Sequence, residues 1–323
     1  MVVVKLVGGL ASQLHKYAII KSICEKNGRK VKVDLSFYTD RMFKFNNIME
    51  YGLPKIGIVP EIASKKDIVK AKGYNFFGKI IFIILTGNFL NRNSKGFFER
   101  VNNKLESYSF YRNLVSNSYM VVHVSKSADK SWLHEILNNE SCYVFGEFGV
   151  GFEDIKNVRA ELSAYVLNSK ISADAEEYKQ LILKEDVSVA VHVRRGDYVN
   201  NESVNTFHGV CSIDYYKRSI NHLCNHESVR LFLFSDDIEW VKENFSEFIP
   251  ENSVFISKNQ GYEDFVLMAS CKYHIIANSG FSSMASWLSM AENKNVYSPV
   301  RWFVDEETNR NQMSLLPADW NYF

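Results

Sequence analysis

Between residues 187 and 278 the chain runs four short β-rich segments, VSVAVHV, VRLFLF, SVFIS and YHIIAN, separated by stretches with helical spacing at residues 213–224, 238–245 and 261–270. Strands that are apolar at nearly every position suit a sheet covered on both faces, and strands alternating with helices pair in parallel through crossovers. An α/β fold follows. A second unit of the same kind opens the chain, with a strand at residues 2–7, a tight turn at Gly8 and Gly9, an amphipathic helix at residues 13–27 and a strand at residues 30–35. From Asp40 to about Asn139 the pattern gives helical stretches near residues 65–72 and 102–118 and a strand at residues 120–124, in an order left open. With 323 residues, two domains are expected, residues 1–170 and 171–323, joined within the charged segment 168–186 that carries Asp174, Glu176 and Glu177.

Thirty-eight basic and thirty-seven acidic residues leave a formal charge of +1, so no overall field exists to hold a nucleic-acid backbone or an anionic membrane. Nucleic acid is therefore excluded as a partner, and any anion must be bound locally. Five cysteines, Cys24, Cys142, Cys211, Cys224 and Cys271, are widely spaced with no CxxC pair, which argues against a disulfide framework or a zinc site and fits a cytoplasmic protein. No Asp-x-Asp or His cluster of metal-site type is present, so no metal is expected. The apolar run at residues 80–85 is too short to span a bilayer and reads first as a buried strand or helix. Its rival reading, with Phe76, Phe77 and Lys79, is a patch making peripheral contact with the inner face of the membrane.

Because parallel α/β sheets bind ligands outside the carboxyl ends of their strands, the segments just after strands carry the functional information. VAVHVRRGDYV delivers His192 at a strand end, then Arg194 and Arg195, then Gly196, Asp197 and Tyr198 in a turn. Guanidinium forks there suit a phosphate; the plainer reading is a surface ion pair with Asp197. In YHIIANSGFSSMASWLSMAEN a strand ends at Asn278 and Ser279-Gly280 opens a helix, whose free amides, with Ser279, Ser282 and Ser283, would seat a diphosphate. An ordinary serine cap is the plainer alternative. Asp236 and Asp237, after the strand VRLFLF, suit ribose hydroxyls or a guanine edge, or simply cap a helix. Gly8 and Gly9 permit close approach to the backbone without forming a G-x-G-x-x-G or Walker pattern. Cations, a helix start and carboxylates together are what one nucleoside diphosphate would use.

These segments resemble glycosyltransferase family 11, the α-1,2-fucosyltransferases. HVRRGDY resembles that family's H-x-R-R-x-D-Y motif and CSIDYYKRSI the helix after it; FSDDIEWVKENF and EDFVLMASCKYHIIANSGFS are similar to its second and third motifs, in the same order and spacing. At the start, GGLASQLHKYA resembles G-G-L-G-N-Q-x-F-Q-Y-A. The chain departs at Ala11-Ser12, at Ser283-Met284 where an aromatic pair is usual, and around Gly146-Glu147-Phe148-Gly149, places where acceptor or fucose would sit.

The resemblance implies an α/β chain of GT-B type, two Rossmann-like domains facing across a cleft. The first would receive a galactose-type glycan acceptor, lipid-linked in one version, through Ser12, Gln13 and Glu147. The second would hold the GDP-sugar donor, with the last residues packing back on the first domain. It implies inverting transfer of L-fucose from GDP-fucose to a 2-hydroxyl in a glycan such as O-antigen. Arg194 would stabilise the departing diphosphate and His192 would orient the phosphates or the Arg194 loop. Gly9, Arg195, Asp197, Asp236, Asn278, Ser279, Phe281 and Ser282 would bind the nucleotide, Asp236 at the guanosine. His15, Asp34, Glu147 and Glu153 stay open as general base. Rival readings are another GDP-sugar donor or a binding protein without turnover.

Overall fold

The computed structural model describes residues 1–39, 49–86, 121–124, 132–225 and 228–323, which fall into two compact units. The first comprises residues 1–51 and 59–149. Its sheet has the order β2-β1-β4-β3, from β1 (Val2–Lys5), β2 (Val31–Asp34), β3 (Val121–Val124) and β4 (Cys142–Gly146), and all its pairings are parallel. Val2, Val3 and Val4 are fully buried, as an apolar run between two neighbours requires. Helix α1 (Leu10–Lys26) covers the sheet with Leu14, Ala18 and Ile19. It starts three residues earlier than its apolar spacing suggests, because the Gln13 amide already donates to the Gly9 carbonyl, 3.0 Å away. Gly8 turns the chain between β1 and α1 at φ +88°, a left-handed conformation that favours glycine.

Further along this unit lie α2 (Ser36–Thr39), α3 (Lys65–Ala71), α4 (Phe76–Thr86) and α5 (Trp132–Asn138). The expected helix at residues 65–72 and strand at 120–124 are present; the expected helix at 102–118 lies outside the described residues. The apolar run belongs to α4, whose Phe76, Phe77 and Ile80 are exposed, so the reading of a buried segment fails for its first turns. Among the described residues no helix is long and apolar enough to cross a membrane.

Residues 52–58 and 150–323 form the second unit. Its helices are α6 (Arg159–Leu167), α7 (Ala173–Lys184), α8 (Gly196–Asn200), α9 (Glu202–His208), α10 (Ile213–Cys224), α11 (Ile238–Phe245), α12 (Gly261–Ser270), α13 (Gly280–Leu288) and α14 (Glu306–Met313). The strands are β5 (Ser188–Val193), β6 (Arg230–Ser235), β7 (Val254–Phe255), β8 (Tyr273–Ile275), β9 (Val296–Ser298) and β10 (Asn321–Tyr322), parallel throughout and ordered β10-β9-β8-β5-β6-β7. All six residues of β5 are buried, so it is the central strand. From β5 the chain builds outward through β6 and β7, then returns to add β8, β9 and β10 on the other side. The order therefore reverses between β5 and β8.

The division of the chain differs from the expected break at 170/171. Residues 150–170 belong to the second unit because their polar groups finish the end of α13: Arg159 donates to the carbonyls of Trp287 and Ser289 at 2.7 and 2.6 Å, and the Ser163 hydroxyl donates to Leu288 at 2.8 Å. Phe152 stacks on Trp287 with ring centroids 5.4 Å apart. Nor is segment 168–186 a linker. Most of it is α7, capped by Ser172, whose amide donates to the buried Glu263 carboxylate at 2.8 Å. Residues 52–58 join the same unit, where Gly57 (φ +75°) leaves no room for a side chain, since a β-carbon would lie 2.8 Å from the Tyr165 carbonyl oxygen. The last residues supply β10, the edge strand of the second sheet, where the Phe323 amide donates to the Ser298 carbonyl at 3.0 Å.

Arg159 is the polar tie on which this boundary depends. Arg159→Met keeps the length of the side chain and removes both donors from partly buried carbonyls, so it should cost about 1–3 kcal/mol. Urea denaturation of the variant should show a lower midpoint with little change in slope.

Candidate functional site

The two strongest sequence motifs leave adjacent strands at the same edge of the second sheet. β5 pairs with β8 in parallel, Val189 opposite Tyr273 and Val191 opposite Ile275, so HVRRGDY and NSGFSS emerge side by side where the strand order reverses. Such a reversal, outside the strand ends, is the usual ligand position in parallel sheets. Two further contacts stitch the loops together. His192 Nδ1 lies 2.9 Å from Ser282 Oγ, and the Tyr198 hydroxyl donates to the Asn278 carbonyl at 3.2 Å. Along the chain Arg194 falls between His192 and Tyr198, and Ser279 to Phe281 fall between Asn278 and Ser282, so each contact closes one end of both loops.

Helix α10 fixes both strand ends from below. Ser212 caps it, accepting from the Tyr215 amide at 3.2 Å. The buried hydroxyls of Tyr216 and Tyr215 then donate to the carbonyls of His192 (3.0 Å) and Ile276 (2.7 Å). The YY pair in the sequence was read only as part of a helix. Its spacing carries no sign of this role, because which strand each ring meets is decided by the sheet order.

Arg194 and Arg195 diverge. Arg194 bridges two carboxylates: Nη2 donates to Asp197 and Nη1 to Asp236 at 2.7 Å, with its guanidinium 5.5 Å from the Tyr198 ring centroid. Arg195 lies over the Trp240 ring at 3.6 Å, and its Nε donates to Asp237 at 3.0 Å. Flat stacking with end-on pairing makes Arg195 a staple between this loop and α11. This stapling role adds to the place at the nucleotide expected for Arg195, and Trp240 is a residue that sequence reading passed over. Asp236 also departs from expectation. Instead of presenting its carboxylate to a nucleoside, it accepts from the Arg195 backbone amide at 2.8 Å and from Arg194. Ion pairing, the plainer reading of the arginines, is thus part of the site, with Asp236 and Asp237 joining Asp197.

On the other loop, Ser279 caps α13 as expected, its Oγ accepting from the Phe281 amide at 3.3 Å. Asn278 is buried and structural. Its amide nitrogen donates to the carbonyls of His208, Gly209 and Trp302 at 3.1–3.3 Å, so its place among nucleotide ligands is corrected too. The Ser282 hydroxyl, 1% exposed, is committed to His192 and to the Ser279 carbonyl at 3.4 Å, which turns it away from any phosphate. Gly280 is exposed and Phe281 half-buried, leaving the amides of the first turn as the anion-seeking groups. Phe281 packs on His192 and Phe265 at 5.8 and 5.2 Å between centroids. Ser283 and Met284, where the resemblance places an aromatic pair near the sugar, are buried in the helix packing.

His192 is 5% exposed. Burial, reinforced by the Arg194 charge, pushes its pKa down to about 4, so the ring is neutral at ordinary pH. Its Nδ1 contact with Ser282 ties the arginine loop to α13.

In the first unit the expected acceptor-side residues gather around the same kind of reversal, between β1 and β4. Lys16, 3% exposed, donates to Ser12 Oγ at 3.3 Å and pairs with Glu147 at 3.2 Å. Gly9 precedes α1 here. Gln13 is fully buried and its amide donates to the carbonyls of Gly8 and Glu50 at 3.0 and 2.8 Å, which makes it a loop brace and corrects its assignment to the acceptor. Lys16 was missed; its i,i+4 spacing from Ser12 is the signal that was available. Of the four base candidates, Asp34 is buried and accepts from the Tyr143 hydroxyl and the Ser36 amide, Glu153 pairs with Lys156 at 3.6 Å on the surface, and Glu147 is held by Lys16. His15 is half-buried on α1.

The depressed pKa of His192 links stability to pH. Protons bind the unfolded chain at about 6.5 and the folded one only near 4, so stability is full above 6.5 and falls as pH drops between these values, by up to on the order of 3 kcal/mol. His274, also buried and pushed down to about 3, adds to the same acid loss. His192→Gln should therefore show a shallower, though not flat, decline in unfolding free energy between pH 6.5 and 4.

Comparison with known proteins places the chain among glycosyltransferases. The model of glycosyl transferase family 11 matches residues 153–323, which carry the arginine loop, α13 and the sheet that joins them. The O-antigen biosynthesis glycosyltransferase WbnK of Escherichia coli is 27% identical over 332 residues, 98% of each chain. An Escherichia coli alpha-1,2-colitosyltransferase is 41% identical over 153 residues, 46% of this chain and 52% of that protein. Among solved structures, the fucosyltransferase NodZ from Bradyrhizobium is 15% identical over 88% of this chain and 91% of its own, with a TM-score of 0.44. Two parallel α/β units in series are the make-up of a GT-B transferase, the family match spans more than half of the chain, and the chain belongs to glycosyltransferase family 11.

Proposed function

We propose that this protein transfers L-fucose from GDP-β-L-fucose to the 2-hydroxyl of a galactose-type residue in a cell-surface glycan such as O-antigen, with inversion at the anomeric carbon. One observation carries the reading: the contacts at the β5/β8 reversal hold the loop that carries Arg194 against the loop that opens α13. In such a displacement the acceptor hydroxyl oxygen attacks the anomeric carbon from the face opposite the leaving group, the bond from that carbon to the β-phosphate oxygen breaks as negative charge grows on the departing GDP, and the hydroxyl proton passes to solvent. Arg194 and the first-turn amides of α13 offer fixed positive charge to that oxygen, the kind of stabilisation that grows toward the transition state. These groups supply what a cation would otherwise supply, so the reaction as proposed needs no metal. Inversion follows from a single displacement without a covalent sugar on the protein.

The O-antigen context rests on the relative WbnK, matched along nearly its whole length. A second reading draws on the colitosyltransferase similarity: colitose is a 3-deoxy form of L-fucose, and a donor pocket that accepts one sugar needs little change to accept the other.

A mass-spectrometric transfer screen of GDP-fucose and GDP-colitose against galactose-terminated acceptors separates these readings. Fucose transfer at the 2-position is expected; turnover with colitose alone would replace the donor, and transfer to another hydroxyl would replace the linkage. Arg194→Ala should lower the transfer rate about 100–1,000-fold. Arg194→Lys should recover only part of it, because an ammonium lacks the planar fork. Incubation with EDTA should leave the wild-type rate unchanged.

A further inference from the structure

Asp236 holds three things at once. One carboxylate oxygen accepts from the Arg195 amide at 2.8 Å, the other meets Arg194 Nη1 at 2.7 Å, and the second oxygen also lies against Gly196, where a β-carbon would sit 2.5 Å from it. The glycine of HVRRGDY is there so that this carboxylate can reach over the backbone. We infer that Asp236 is a positioning residue that presets Arg194 for the departing diphosphate, and that its charge works against nucleotide binding; the inference rests on the transferase reading above.

The donor count supports it. A guanidinium has five N–H donors, and the carboxylates of Asp197 and Asp236 each take one through different terminal nitrogens. Held from both sides in its plane, Arg194 keeps its remaining donors for a phosphate and no longer needs to be ordered when the ligand arrives. Its side chain stays 33% exposed and that of Asp236 27%, so the pair remains reachable from solvent.

Charge gives the second half. The loops bring Arg194 and Arg195 together with Asp197, Asp236 and Asp237, two positive groups against three negative ones. Before any ligand arrives the cluster carries a net negative charge, an unfavourable place for a resting diphosphate. The arrangement favours orientation over ground-state affinity, which is the useful side of that exchange for a group acting on developing charge. A carboxylate that contacted ribose or guanine would behave in the opposite way, because its loss would weaken binding.

Asp236→Asn tests this, since it keeps the acceptor for the Arg195 amide and removes the charge. GDP affinity by calorimetry at low salt should rise about 3–10-fold, by relief of like-charge repulsion at a partly exposed site. The turnover number with GDP-fucose should fall about 10–100-fold, as expected for a misplaced catalytic group. In an Arg194→Ala background the same substitution should change turnover less than twofold, a coupling that general loosening of the fold would not produce. Asp197→Asn, which releases the other side of Arg194, should show the same opposed changes and serves as the second variant if Asp236→Asn folds poorly. Weaker GDP binding in both variants, or an undiminished turnover number, would overturn the inference. A wild type that binds GDP but transfers no sugar would sink the transferase reading instead, and the direction of the affinity change would still decide the charge argument for Asp236.

Discussion

Strands β5 and β8 lie side by side although β6 and β7 come between them in the chain, and the site depends on that adjacency. A parallel sheet that grows first to one side and then to the other must leave two loops diverging at its centre, because the connections on each side pack on opposite faces. Here one loop brings the arginines and the other brings α13. The polar contacts from His192 to Ser282 and from Tyr198 to Asn278 hold the loops in register. Tyr215 and Tyr216 repeat that function at the strand ends, so the loop bases are pinned from α10 as well.

Helix α13 is prepared for an anion at both ends. Its first turn lies at the β5/β8 reversal, while Arg159 and Lys294 saturate the carbonyls of its last turn, Lys294 donating to Ser286 and Ser289 at 2.9 and 3.3 Å. Burial, reinforced by the neighbouring Arg159 charge, pushes the Lys294 pKa down to about 8, the cost of gathering two cations at one buried helix end. Cations at the carboxyl end and an anion at the amino end both complement the helix dipole. Segment 150–170 therefore belongs with the second unit for an electrostatic reason as well as for packing: it brings Arg159.

The site is also sparing with charge. His192 is neutral, Arg195 is spent on Trp240 and Asp237, and Arg194 is balanced by two carboxylates.

The sequence by itself determined seven of the ten described strands, all but β4, β9 and β10, with the parallel α/β class, the helices at residues 213–224, 238–245 and 261–270, the serine cap of α13 and the family resemblance, because each is written in local periodicity or in a contiguous motif. It could not determine which side chains within a motif face the ligand. Asp236 and Asn278 carry polar groups suited to a nucleotide, yet one is claimed by Arg194 and the Arg195 amide, the other by carbonyls of His208, Gly209 and Trp302. Those partners are remote in the chain and meet only when the sheet assembles. The domain break shows the same limit. Residues 168–186 are charged and helix-like and were expected to contain the join between domains, but the buried Glu263 ties their helix start to α12, and Arg159 ties the preceding segment to α13. Local chemistry fixes what each segment can form; long-range hydrogen bonding to buried backbone groups decided where it is used.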